Sequence, residues 1–292
     1  MILQFLISGF VQGCVYFIVG LGFAIIYGPT RVFHFAHGAV CLSAAYAFYD
    51  LYKVLRWPLP VAVVGAVAVA AVLGAFAEKA IHRPLMKSGA SSLVHLLSSI
   101  GLSIALINLL VLVHGNETKL PKPGLQANIF YGMGAMTIPQ ATICFAAPAI
   151  LLTLLFVVHK TTAGRLVRGL QDDPELLSTL GYNADRLRLA LFAAGSALAA
   201  LGAVLSSLDV GFDPSSGVSL MLNGVVAVIA GGVSRLEGVA LGAVLLGLVQ
   251  SVAVMRISAG WQDAATFTVL ILFLLIRPEG LLGRSRRMEE TR

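Results

Sequence analysis

Long apolar runs, punctuated by charge, Pro and Gly, make up most of the sequence. They cover residues 3–27, 34–52, 58–77, 92–113, 138–159, 188–208, 218–233, 238–256 and 263–277. Most reach the roughly 20 residues that a helix needs to cross about 30 Å of hydrocarbon. A membrane β-barrel would instead alternate apolar and polar positions over roughly ten-residue segments. The pattern predicts an all-α polytopic membrane protein with about nine transmembrane helices. Two runs are weaker. Residues 34–52 follow Phe33 and begin His34-Phe35-Ala36-His37-Gly38, which reads as a broken helix. Residues 218–233 are short and interrupted up to Gly231-Gly232. Small residues recur at a spacing of four: Gly9 with Gly13, Gly195 with Ala199 and Ala203, and Gly238 with Gly242. That spacing lets helix backbones approach closely.

Composition sharpens this picture. The chain has 292 residues, 58% of them hydrophobic and only 12% charged. The charged share is about half the roughly 25% of a soluble domain. An ordinary cytoplasmic enzyme, a disordered chain and a disulfide scaffold are excluded. The net charge of +6 fits basic loops on the cytoplasmic side and calls for no nucleic acid. With the C-terminus placed inside, on account of Arg284, Arg286, Arg287 and Arg292, nine spans leave fifteen Lys and Arg inside and five outside. That asymmetry predicts an outside N-terminus. A re-entrant 34–52 would give eight spans and an inside N-terminus. Residues 3–27 have no charged leader, so they read as a retained span. Cys14, Cys41 and Cys144 lie far apart inside apolar runs, which is neither a metal spacing nor a disulfide framework. The whole of 1–292 reads as a single transmembrane domain.

Every Asp, Glu, Lys and Arg reads as a loop residue or a span end. Ion-coupled carriers keep ionisable groups inside the membrane despite their cost, so the pattern argues against one. His37, His95 and His114 are the nearest candidates. No Gly-Lys pair occurs, and hence no phosphate-cradling G-x-x-x-x-G-K-[ST] loop. An active transporter built on this chain takes its energy from another subunit. No cofactor or metal is expected.

The longest polar stretch is 160–187. In it, Asp172-Asp173-Pro174-Glu175 has the form of a helix start: an acid caps, Pro fits the first turn, and acids suit the positive helix end. Gly181 reads as the left-handed stop. The expected helix near 174–180 presents Leu176, Leu177 and Leu180, either to the bilayer surface or to a groove in a partner.

Four elements of this sequence carry a family likeness. They are Ile26-Tyr27-Gly28 with Val32 through Gly38; Arg83-Pro84-Leu85 with Ile100-Gly101-Leu102; Thr162-Ala163-Gly164-Arg165 through Gly181-Tyr182-Asn183; and Gly231-Gly232-Val233 with Gly238, Gly242 and Arg277 through Gly283. Together they resemble the permeases of branched-chain amino-acid ABC importers, the LivH-like group, over nearly the whole chain. Phe33-His34 departs from the family's Ile-Asn, and Asp173 through Leu177 from its Ala-rich run. The resemblance implies a type II ABC importer-like permease of two inverted four-helix units around a central helix, in a bacterial inner membrane. It implies two ATP-binding subunits, a second related permease and an extracytoplasmic substrate-binding protein as partners. Asp173, Pro174, Glu175, Leu176, Leu177, Leu180 and Gly181 would dock the ATPase. The solute would be a small amino acid, with urea or short amides as the alternative; a passive channel or an ion-coupled carrier is the reading from another class. Broken helices expose backbone groups to a solute, which puts His37, Gly38 and Asn223 on the expected path.

Overall fold

The computed structural model describes residues 2–121, 128–131, 134–233, 235–277 and 279–282. Lys122, Pro278, Gly283 and the tail arginines Arg284, Arg286, Arg287 and Arg292 lie outside them. Each apolar run is helical. The elements are α1 (Ile2–Thr30), α2 (His37–Tyr49), α3 (Leu59–Ala77), α4 (Arg83–Lys87), α5 (Ser92–His114), β1 (Asn128–Tyr131), β2 (Gly134–Thr137), α6 (Ile138–Lys160), α7 (Thr162–Asp172), α8 (Pro174–Thr179), α9 (Ala184–Val210), α10 (Ser216–Gly231), α11 (Leu236–Arg256) and α12 (Gln262–Ile276). Among the described residues, six stretches are long and apolar enough to cross a membrane: α1, α3 continued through α4, α5, α6, α9 and α11. The helices α2, α10 and α12 are shorter, with 13, 16 and 15 residues. One π turn, Asp50–Val54, extends α2; another, Glu78–His82, joins α3 to α4.

Helix α1 stands in the middle. Ile18, Val19, Leu21 and Ile26 are fully buried, and the helix packs on α9, α10 and α11. Glycine permits this closeness. A Cβ on Gly13 would lie 2.8 Å from the Val244 backbone, and one on Gly20 would lie 2.8 Å from the Gly224 carbonyl oxygen. All three spacings of four read in the sequence fall at such crossings. Gly9 and Gly13 meet α11, Gly195 and Ala199 meet Gly22, and Gly238 and Gly242 meet the end of α10.

Beside this group, α3 presents Ala62, Ala66 and Ala70, all fully buried, to Val40, Ala44 and Phe48 of α2 and to Ala200 and Val204 of α9. The repeat of four keeps one small-residue stripe against two neighbours.

The two ends are finished differently. At one end, called here the hairpin end, β1 and β2 pair antiparallel with Asn128 opposite Thr137. The all-α expectation omits this hairpin. The Gln4 amide donates to the Ala135 carbonyl at 3.0 Å and accepts from its N–H at 3.1 Å, tying the hairpin to the start of α1. Thr137 and Gln140 form a capping box on α6, and both also donate to Asp209 at the end of α9. The opposite end carries residues 160–187 and is called the loop end. There Leu281 and Leu282 donate their amides to the carbonyls of Ala230 and Gly231, at 2.8 and 3.2 Å. Those are among the last carbonyls of α10, which a helix cannot satisfy internally. Gly280, at φ 80°, makes the turn that brings the segment back.

Candidate functional site

The loop between α6 and α9 is a built structure. Thr161 caps α7 by accepting from the Gly164 N–H, and a Cβ at Gly164 would run into the Val157 and Val158 carbonyls. The Thr-Ala-Gly-Arg element is therefore a tight corner. Asp173 accepts from the Glu175 and Leu176 amides at 2.9 and 3.0 Å, and Pro174 opens α8 as expected. Gly181 has φ 85°. Its amide donates to the Ser178 carbonyl, and that of Tyr182 to the Leu177 carbonyl, closing the helix by the two bonds of a Schellman motif. The sequence reading missed α7 and misplaced Leu177. That side chain is 5% exposed, packed with Leu170 and Leu191, and so anchors α8 to the bundle. Leu176 and Leu180 are 58% and 67% exposed. The amphipathic period assigns these leucines to one helix, but in a six-residue helix only the opposite wall decides which is covered.

A second group lies at the loop end, where α2, α3, α5 and α9 converge. His34 Nδ1 is 3.1 Å from His82 Nε2, and His82 Nδ1 is 3.3 Å from His95 Nδ1. Neutral imidazoles bond in series when each donates from one nitrogen and accepts at the other. Arg188 Nε donates to Glu78 Oε1 at 2.9 Å. All five side chains are buried. Glu78 corrects the expectation that every carboxylate sits at a span end: the helix continues past Ala77 and carries Glu78 inside, beside its arginine. Glu78 Oε2, Arg188 Nη2 and His34 Nε2 have no hydrogen-bond partner. Outside them, Arg83 pairs with Asp185.

The third group is neutral and central. Tyr16 OH donates to Gln250 Oε1 at 2.6 Å and accepts from Gln12 Nε2 at 2.9 Å. Gln250 Nε2 donates to Asn223 Oδ1 at 2.8 Å and also to Thr266. Thr266 Oγ1 donates to Asn223 Oδ1 at 2.9 Å, while Asn223 Nδ2 gives its hydrogen to the Ser219 carbonyl. The network joins α1, α10, α11 and α12.

The anticipated path residues separate. His37 is buried at the start of α2, with both ring nitrogens unpartnered and Phe23 against its ring. Gly38 crosses α10 closely: a Cβ there would lie 2.8 Å from the Gly217 carbonyl oxygen. Asn223 lies on the same α10 but turns to α11 and α12. The break before α2 is real, since residues 31–36 leave the helix. Of the second interruption, at Asn223-Gly224 and Gly231-Gly232, only the latter is found: α10 runs unbroken through Asn223 and Gly224 and ends at Gly231, with Gly232 at φ 100°, while Gly224 serves the crossing with Gly20. Near the hairpin end, α2, α9 and α10 enclose a cavity of about 10 Å³ beside Cys41, Ser207 and Gly217, room for one water. The His114 ring nitrogens face two acceptors, the Asp50 carboxylate at 2.9 Å and the Leu110 carbonyl at 3.2 Å.

Reasoning from the sequence passes over His82, reads His34 only as a departure from the family's pattern, and misses the Glu78–Arg188 pair because both charges read as loop or span-end residues. It overlooked Tyr16, Gln250 and Thr266 because each was scored alone. Gln12 and Tyr16 at i, i+4 within an apolar run were the available signal.

Comparison with known proteins agrees with this architecture. The chain is 29% identical to "High-affinity branched-chain amino acid transport system permease protein LivH" of Escherichia coli (strain K12), over 97% of this chain and 96% of that protein. It is 29% identical to the corresponding protein BraD of Pseudomonas aeruginosa, with the same coverage. Among solved structures, PsaBC from Streptococcus pneumoniae in complex with Fab shares the fold, with a TM-score of 0.54 at 13% identity over 95% of this chain and 92% of that one. The model of the family described as "Branched-chain amino acid transport system / permease component" matches residues 5–276, and the chain belongs to that family.

Proposed function

We propose that this chain is the translocation subunit of an ABC importer for a branched-chain amino acid, driven by ATP hydrolysis on partner subunits. Residues 1–292 act as one permease domain without an ATP site of their own, in the cell's inner membrane. Nine spans place the N-terminus and the hairpin end outside and the loop end in the cytoplasm, with two four-helix units of inverted sense around α6. Two ATP-binding subunits seat on α8, a second related permease completes the path, and an extracytoplasmic binding protein delivers solute.

The observation that carries this reading is the α7–α8 unit. Leu177 fastens α8 to the bundle while Leu176 and Leu180 are left facing away from it. Asp173, Pro174, Glu175 and Gly181 fix the two ends of the helix. A rigid helix with an uncovered apolar face suits a partner's groove. His37, Gly38 and Asn223 remain the proposed path: neutral polar groups pass a zwitterion without trapping it on a buried charge.

The test is uptake of radiolabelled leucine, isoleucine and valine, against urea, by proteoliposomes holding the complex that co-purifies with this chain. Uptake of urea alone would reassign the solute. Gly181→Val introduces a β-branched residue at a left-handed position, a strain of about 1–3 kcal/mol. It is expected to abolish coupled transport while the chain still inserts. Cysteine labelling at Glu175 by an impermeant reagent, from outside intact cells, would sink the orientation.

A further inference from the structure

Four of the chain's six histidines, His34, His37, His82 and His95, gather at the loop end. Three of them form the hydrogen-bonded row described above, from His95 through His82 to His34. His95 stands in the first turn of α5 and keeps 7% exposure, whereas His82 and His34 are fully covered, with Phe192 against both rings. The outer end of the row therefore lies nearest the solution. The inner end, His34 Nε2, is buried without a partner. His37 is the next ring inward, 6.1 Å away between centroids, and makes no hydrogen bond to it.

A neutral imidazole carries one ring hydrogen. Three in a row share two of their hydrogens between rings and keep the third at one end, on His95 Nε2 or on His34 Nε2. A fourth hydrogen fills both ends and gives the row one positive charge. It enters from solution at His95 Nε2. The two shared hydrogens can then each shift one ring inward, carrying the charge to His34; only N–H bonds form and break. His34 Nε2 has no acceptor, so the charge stops there. The row holds a proton and does not pass it on.

The surroundings make that charge consequential. Helices α1, α2 and α5 contain no Asp, Glu, Lys or Arg, and Arg31 in the break is exposed. The charges facing the row come from the end of α3 and the start of α9. Arg188 acts on His82 and His95, and Glu78 acts on His95; Arg83 and Asp185 pair with each other outside them. A cationic row repels the Arg188 guanidinium and attracts the unpartnered Glu78 Oε2, strongly so in a buried site. Both effects pull against the bond that clasps α3 to α9. The row also reaches the break before α2, where the Ala36 N–H donates to Ser99 Oγ of α5 at 2.8 Å.

We propose that the His95–His82–His34 row is a proton sensor for the solution at the loop end: acid there charges the row, loosens the Glu78–Arg188 clasp and slows transport. The link to transport rests on the importer reading above; the link to stability does not.

The test compares the parent chain, with its co-purifying subunits, with two variants. His34→Asn restores the residue of the family's pattern. His82→Gln keeps a donor and an acceptor between its neighbours but takes up no proton. Melting temperature is followed in detergent from about pH 7.5 to about pH 5, the range in which histidine changes charge. The parent should lose more stability than either variant, since its added charge enters a packed interior in the fold and water when unfolded. In proteoliposomes with ATP and acid on the same side, leucine uptake by the parent should fall roughly tenfold and that of the variants less than about twofold. Acid on the other side should leave uptake unchanged in all three. Parallel pH profiles in the parent and both variants overturn the proposal, as does equal inhibition from either side. A steady proton current through the complex would make the row a conductor, with the same consequence. Absence of leucine uptake at neutral pH would sink the importer reading alone, and the melting profiles would still decide the sensor.

Discussion

The network around Asn223 and the cluster around Glu78 both bury polar groups between helices, by opposite means. In the network, Asn223 Oδ1 accepts twice, Gln250 uses both ends of its amide, and every member is neutral. In the cluster, a carboxylate and a guanidinium face each other with one oxygen and one nitrogen left over, next to a histidine chain that ends on an unpaired nitrogen. A saturated neutral network has one arrangement and braces four helices in it. An under-satisfied charged cluster is sensitive to whatever enters or moves beside it. The cluster is the one that adjoins α9 at the foot of the α7–α8 unit. The fold thus keeps its brace in the middle and its responsive group beside the coupling elements.

The sharpest way to break this comparison is Arg188→Leu, which leaves Glu78 buried and alone. A loss of about 3–5 kcal/mol is expected, read as a fall in melting temperature of the detergent-solubilised protein. Adding Glu78→Gln should recover much of it. A single variant as stable as the parent would remove the cluster from the account.

Within α8 the same contrast runs between neighbours. Leu177→Ala empties a buried position and should cost about 2 kcal/mol or more. Leu176→Ala should change stability by less than about 0.5 kcal/mol, yet reduce co-purification of ATPase subunits. If the two variants behave alike in both assays, the division between anchor and docking face is wrong.

Asn223→Leu tests the network. Interhelical hydrogen bonds in membranes average about 0.6 kcal/mol, so the expected loss is near 1 kcal/mol, well below that of Arg188→Leu. Transport should fall more than complex assembly. Full uptake by an assembled Asn223→Leu complex would confine Asn223 to the brace.

The smallest effect belongs to Asp213, in the turn before α10. Burial pushes its carboxyl up, but hydrogen bonds from the hydroxyls and amides of Ser215 and Ser216 outweigh this and hold it below its usual value. A carboxyl depressed by folding stabilises above its unfolded pKa of about 3.9, and that contribution is lost as pH falls through the folded value. Asp213→Asn should therefore lower stability slightly at neutral pH, and the two proteins should converge as pH falls below about 4; a difference of the same size at both pH values would point to a lost cap instead.

Much of this was legible in the residues. Apolar runs located the long helices among the described residues, because a membrane helix must pair its own backbone and hydrocarbon tolerates little else. The caps of α8 were legible because Asp-Pro-Glu and Gly act locally. Leu177 and Leu176 were indistinguishable, since burial depends on Leu170 and Leu191, which no local rule brings together. Glu78 was misjudged for a related reason: the apolar run stops at Ala77, but the helix does not, and its long-range partner Arg188 makes the continuation tolerable. Asn223 stands out in the sequence as an amide within an apolar run, while its partners come from α11 and α12, over 25 residues further on.

The central position of α1 has a consequence for synthesis. Its glycines face α9, α10 and α11, which leave the ribosome long after it does. About 230 residues separate the end of α1 from the end of α11, or roughly 10 to 50 seconds at ordinary elongation rates. For that interval the future centre of the bundle is surrounded by lipid or by the insertion machinery, its close-approach surface open to any other helix that arrives. A helix made well before its partners is among the last to be enclosed, so slowing translation between α6 and α9 should lengthen the time in which this chain can be cross-linked at Gly13→Cys to insertion factors.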